Sequence, residues 1–157
     1  MRILLVCFSL LSAGGLALSV LAHTAALRGT EGPLGAYTPL LHAGLFVVWI
    51  PAVLVSRRRV WRNRTGENGW QVVFRGCPAW LKYMTYILLG YAVVNLLLFM
   101  STVPKPSVAE TRPARQLDLL SGCWMAFYSM ALAMLYSAWK ALGTGPERRG
   151  RHSGLTG

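Results

Sequence analysis

Apolar residues fall in four blocks along the chain, separated by short polar connections. The blocks run from about Ile3 to Ala26, Thr38 to Val55, Pro78 to Val103 and Leu117 to Leu142. A helix rising 1.5 Å per residue needs about 20 residues to cross the hydrocarbon of a bilayer, and each block approaches or exceeds that length. Backbone N–H and C=O groups in hydrocarbon must bond within their own segment, so blocks of this kind are expected as helices. Strands of a transmembrane barrel would alternate polarity over roughly 10 residues, and no such alternation appears. The pattern predicts an all-α membrane protein: a four-transmembrane-helix bundle over residues 1–142, with a basic loop at 56–77.

Individual residues sharpen these boundaries. Pro39 suits the first turn of the second helix, where its missing N–H has no partner to lose. Pro51 lies inside that block and is expected to kink it. Trp80, Lys82 and Tyr83 at the start of the third block, and Trp139 with Lys140 at the end of the fourth, are side chains suited to a membrane interface. Pro104 and Pro106 stop the third block. The first block also reads as a signal peptide, with Val20-Leu21-Ala22 as a cleavage site. Its apolar run is longer than the ~7–15 residues of a signal core, so a retained helix is expected.

Small residues form two helical stripes. Ser12, Gly15, Ser19, Ala22 and Ala26 share one face of the first helix; Gly122, Ala126, Ser129, Ala133 and Ser137 share one face of the fourth. Such stripes let helices approach closely, within the bundle first and against another subunit second. Tyr83, Tyr86 and Gly90 continue the theme on the third helix.

Composition agrees with this reading. Hydrophobic residues make up 54% of the chain and charged residues 13%, with a mean hydropathy of +0.44; a soluble domain carries about 25% charged residues. The net charge of +11 would suit a nucleic-acid partner, but the basic residues sit between and after the apolar blocks, which argues against one. Twelve of the 16 Lys and Arg residues fall on one side of the predicted membrane: Arg2, Arg57, Arg58, Arg59, Arg62, Arg64, Arg75, Lys82, Lys140, Arg148, Arg149 and Arg151. Only Arg28, Lys105, Arg112 and Arg115 fall on the other. By the positive-inside rule, both termini and the loop 56–77 are expected in the cytoplasm. That loop interleaves its arginines with Trp61, Trp70, Val72, Val73 and Phe74. It is therefore expected at an anionic lipid surface, at about 1 kcal/mol per basic residue. The tail 143–157 is nearly free of apolar residues and is expected to be disordered. No internal repeat of the kind used by transporters stands out.

Two stretches, HAGLFVVWIPAVLV (His42–Val55) and RGCPAWLKYMTYILLGYAVVNLLLF (Arg75–Phe99), resemble a group of small uncharacterised bacterial multi-pass membrane proteins. The resemblance implies a bacterial inner-membrane location and no particular activity.

Candidate chemistry is sparse. His23 and His42 lie near the outer ends of adjoining helices, so the two imidazoles are candidates to ligate a haem or a metal ion, each with one ring nitrogen. Interhelical hydrogen bonding is the plainer expectation. Asn95, near the middle of the third helix, is expected to bond across a helix interface, with a place on a transport path as the alternative. Asp118 is expected to cap the fourth helix. Cys7, Cys77 and Cys123 have neither the number nor the spacing of a disulfide framework or zinc site. Triads, paired carboxylates and phosphate-cradling loops are absent. The expected role is non-catalytic: an accessory subunit, an assembly factor or a homo-oligomer. A redox cofactor protein and a small oligomeric transporter or channel are the alternatives.

Overall fold

Each apolar block folds as one helix. The computed structural model describes residues 1–29, 36–63, 66, 68–101 and 112–143, with only the backbone of 112–118. Among the described residues there are five helices and no strands: α1 (Arg2–Leu27), α2 (Thr38–Arg62), α3 (Gly69–Val73), α4 (Ala79–Ser101) and α5 (Arg112–Gly143). α1, α2, α4 and the part of α5 from Leu119 are long and apolar enough to cross a membrane. Arg64, the connection preceding Ala36 and the tail from residue 144 lie outside the described residues.

Two boundaries depart from expectation. The loop predicted at 56–77 is partly helical, because α2 continues past Val55 to Arg62 and α3 forms a further turn. Arginine is a good helix former, and Arg59 and Arg62 in the last turn complement the negative end of the helix dipole. α2 also runs on through Pro51 as one element. At the other helix, Asp118 is not a cap. α5 begins at Arg112, with Pro113 in its first turn, so the backbone of residue 118 is already helical. The side chain of Asp118 is outside the described set.

α5 is the centre of the bundle. In the most apolar 18-residue window of each helix, 67% of α5 is buried, against 17% of α1, 17% of α2 and 11% of α4. α1 runs antiparallel to α5, from the Arg2–Leu142 contact at one end to the His23–Ser121 contact towards the other. α4 is antiparallel to α5 as well, pairing Thr85 with Ser129 and Asn95 with Gly122. α2 runs alongside α5 in the same direction, from His42 at Trp124 to Arg59 at Ser137. The three outer helices turn large apolar side chains outward, including Ile3, Leu10, Leu40, Phe46, Ile87 and Leu97. Helices that stay apolar on their outer faces suit hydrocarbon, where exposed Leu and Ile carry no penalty.

Both small-residue stripes are used inside the bundle. Ser12, Gly15, Ser19, Ala22 and Ala26 are all buried, together with Leu5 and His23. On α5, Gly122, Ala126, Ser129, Ala133 and Ser137 are buried too.

Candidate functional site

Several polar side chains of the bundle interior form interhelical contacts centred on α5. Tyr128 is 2% exposed, and its hydroxyl donates to the carbonyl of Leu41 on α2 at 2.8 Å. Ser12 of α1 donates to the backbone carbonyl of Tyr128 at 2.7 Å. The ring packs onto Gly15 of α1, and its hydroxyl lies over Gly44 of α2. One tyrosine thus ties α5 to α1 and α2.

His23 sits further towards the end of the bundle away from Arg2. Its Nδ1 lies 3.0 Å from the Ser121 hydroxyl on α5 and its Nε2 lies 2.6 Å from the Tyr91 hydroxyl on α4. The Tyr91 ring meets the imidazole edge-on, with centroids 5.3 Å apart. A hydroxyl can donate or accept, so Ser121 and Tyr91 satisfy either neutral tautomer of the imidazole. Asn95, one helical turn from Tyr91, packs against Gly122, where an added Cβ would fall 2.9 Å from its Nδ2. His23, Tyr91, Ser121 and Asn95 therefore form one polar cluster joining α1, α4 and α5.

His42 belongs to a different group. Its Nδ1 accepts from the indole N–H of the buried Trp124 at 3.2 Å, and its ring lies near Phe46. Of the two histidines singled out from the sequence, each engages α5, and each does so through its own partners. Tyr91, Ser121 and Trp124 were not legible as their partners.

The opposite end of the bundle is basic. Arg59 donates to the Ser137 hydroxyl at 2.8 Å, and Ser137 donates to the backbone carbonyl of Arg75 at 2.6 Å. Arg2 donates to the carbonyl of Leu142, and Lys140 lies against Gly76. Gly76 has φ +78°, a left-handed conformation that lets the chain turn from α3 into Cys77 and α4. Cys77 is buried there; burial pushes its thiol above the ordinary value, and Lys82 and Lys140 offset part of that rise. Of the predicted basic residues, Arg59 and Arg75 meet through Ser137. Arg57 lines a separate hollow with Trp61 and Trp70, while Arg58 and Arg62 line a cavity with Arg59.

A third opening lies between α1 and α2. It is a groove of about 510 Å³ walled by Leu10, Leu11, Gly14, Leu18, Leu40 and Gly44, with Tyr128 as its floor. Its lining is almost wholly apolar, because the Tyr128 hydroxyl is already committed to Leu41. Among the described residues no group of three or more His, Cys, Asp or Glu side chains is placed to hold a metal ion. No protein-family model, curated protein or solved structure matches the chain.

Proposed function

We propose that this chain is a non-catalytic protein of a bacterial inner membrane that works by association, as an accessory subunit, an assembly factor or a homo-oligomer. The observation that carries this reading is the α1/α2 groove. Its glycines and outward leucines offer a second transmembrane helix a close apolar seat, and such contacts drive association where lipid removes the hydrophobic effect. The small-residue stripes do not serve this purpose, since both are buried within the bundle. The twelve-to-four division of basic residues supports cytoplasmic termini and contact of the basic end with anionic headgroups.

A histidine-ligated cofactor would have to compete with the Ser121 and Tyr91 contacts of His23. A polar path past Asn95 would have to open its packing against Gly122. Affinity purification in mild detergent tests the association reading. The expected result is a stoichiometric partner or a defined oligomer, lost when Gly14→Phe fills the groove. A strictly monomeric, partner-free species would overturn it.

A further inference from the structure

The basic end holds a cavity of about 390 Å³ lined by Leu5, Val55, Arg58, Arg59, Arg62 and Ala138. That size falls within the roughly 300–1,000 Å³ of small-ligand sites. Three arginines from the end of α2 line it, while Leu5 of α1, Val55 of α2 and Ala138 of α5 make an apolar wall on the bundle side. Arg59 is partly buried and held in place by Ser137, whose own hydrogen is spent on Arg75, so the serine oxygen accepts and fixes the guanidinium. A guanidinium has five N–H donors, and this bond uses one.

Like charges gathered in one cavity repel, by about 1 kcal/mol at 4 Å even in bulk water and by more beside an apolar wall. The end of the α2 dipole offsets only about half a charge. A planar guanidinium fork matches the paired oxygens of a phosphate, and an apolar wall beside it suits the glyceride and the first carbons of an acyl chain.

We infer that this cavity is a site for the phosphodiester headgroup of an anionic phospholipid, bound by Arg58, Arg59 and Arg62 with its chains along Leu5 and Val55. The inference deepens the reading of an anionic surface contact and rests on the chain spanning a membrane. It replaces a diffuse attraction with one seat between α1, α2 and α5. The shared chemistry with inorganic phosphate is the oxyanion; the apolar wall favours the lipid.

The test uses the full chain in mild detergent, titrated with phosphatidylglycerol, phosphatidylcholine or inorganic phosphate, with bound adducts counted by native mass spectrometry. Phosphatidylglycerol should be retained in preference to phosphatidylcholine. The exposed pair R58Q/R62Q should weaken that retention by at least about tenfold, given roughly 1 kcal/mol per basic residue at a lipid surface. R28Q/R57Q, which removes the same charge without touching the cavity lining, should weaken it clearly less than R58Q/R62Q does. Circular dichroism of each variant checks that the helices persist, and R59K, which keeps the charge but not the fork, should show intermediate retention. Equal retention of the two lipids, indifference to R58Q/R62Q, or full displacement of the lipid by millimolar phosphate would overturn the site. A missing protein partner would leave this result standing, and a partner recovered without lipid preference would overturn the lipid site alone.

Discussion

The ring of Tyr128 lies on the backbone of Gly15. A Cβ built on residue 15 would fall 2.7 Å from the ring's Cδ1 and closer still to Cε1 and Cζ, while one built on Gly14 would meet nothing within 4 Å. Two adjacent glycines therefore have different work: one admits an aromatic between helices and the other faces the α1/α2 groove.

Gly15→Ala should destabilise the bundle by about 1–3 kcal/mol, the range for overpacking a filled site. For a chain of this size each kcal/mol lowers the melting temperature by roughly 2–4 °C. Gly14→Ala should leave the melting point unchanged or raise it, since alanine is the better helix former. Thermal melts of both variants in one detergent make the comparison, and equal effects would refute the assigned packing.

The His23 cluster predicts a measurable coupling. Hydrogen bonds across helices in membranes average about 0.6 kcal/mol and reach about 1.7. A double-mutant cycle of His23→Phe with Ser121→Ala should return a coupling in that range, and Tyr91→Phe should weaken the protein comparably. Strict additivity of His23→Phe and Ser121→Ala would show that the imidazole and hydroxyl act independently.

Two serines near the basic end should respond in opposite ways. Ser137 serves both the Arg59 guanidinium and the Arg75 carbonyl, so Ser137→Ala removes two hydrogen bonds and should cost about 1–3 kcal/mol. Ser56 is 5% exposed, and its hydroxyl has no partner among the described residues. Ser56→Ala removes an unsatisfied group and should be neutral or mildly stabilising. Unfolding titrations in SDS would rank them, and a larger loss at Ser56 would reverse the assignment.

Cys77 predicts a pH dependence. Burial raises its thiol pKa, so the folded state keeps the proton to higher pH than the unfolded chain does. Its contribution to stability is therefore complete below the ordinary thiol value and declines as pH rises above it. In a background carrying Cys7→Ser and Cys123→Ser, a water-soluble maleimide should label Cys77 slowly at neutral pH and accelerate above that value. Fast labelling at pH 7 would contradict the buried position.

The four long helices were legible because the length of an apolar run is set by bilayer thickness and needs no knowledge of neighbours. The stripe from Ser12 to Ala26 was legible for a similar reason, since spacing alone places those residues on one face. What they face was not legible: nothing near Gly15 in the chain points to Tyr128, more than 100 residues away in sequence. His23 stood out as a costly group in an apolar run, but its partners Ser121 and Tyr91 come from two other helices. The extension of α2 to Arg62 is not visible in the apolar pattern, because arginines end a hydrophobic run while still favouring helix.

The basic end carries a prediction about orientation. The structure gathers Arg2, Arg59, Arg75 and Lys140 at one end of the bundle through the Arg2–Leu142, Arg59–Ser137–Arg75 and Gly76–Lys140 contacts. Short segments rich in Lys and Arg resist translocation, so this end should remain in the cytoplasm. A reporter fused after Gly66, between α2 and α3, should report a cytoplasmic location, and one fused in the connection after α4, at Val108, should report the outside. Neutralising Arg57, Arg58 and Arg62 together lowers the bias without removing the Arg59–Ser137 bond. A fraction of the chains should then invert, giving signal from both reporters. A Gly66 fusion that reads outside in the unmodified chain would overturn the assignment, because it would require the most basic connection of the protein to have crossed the membrane.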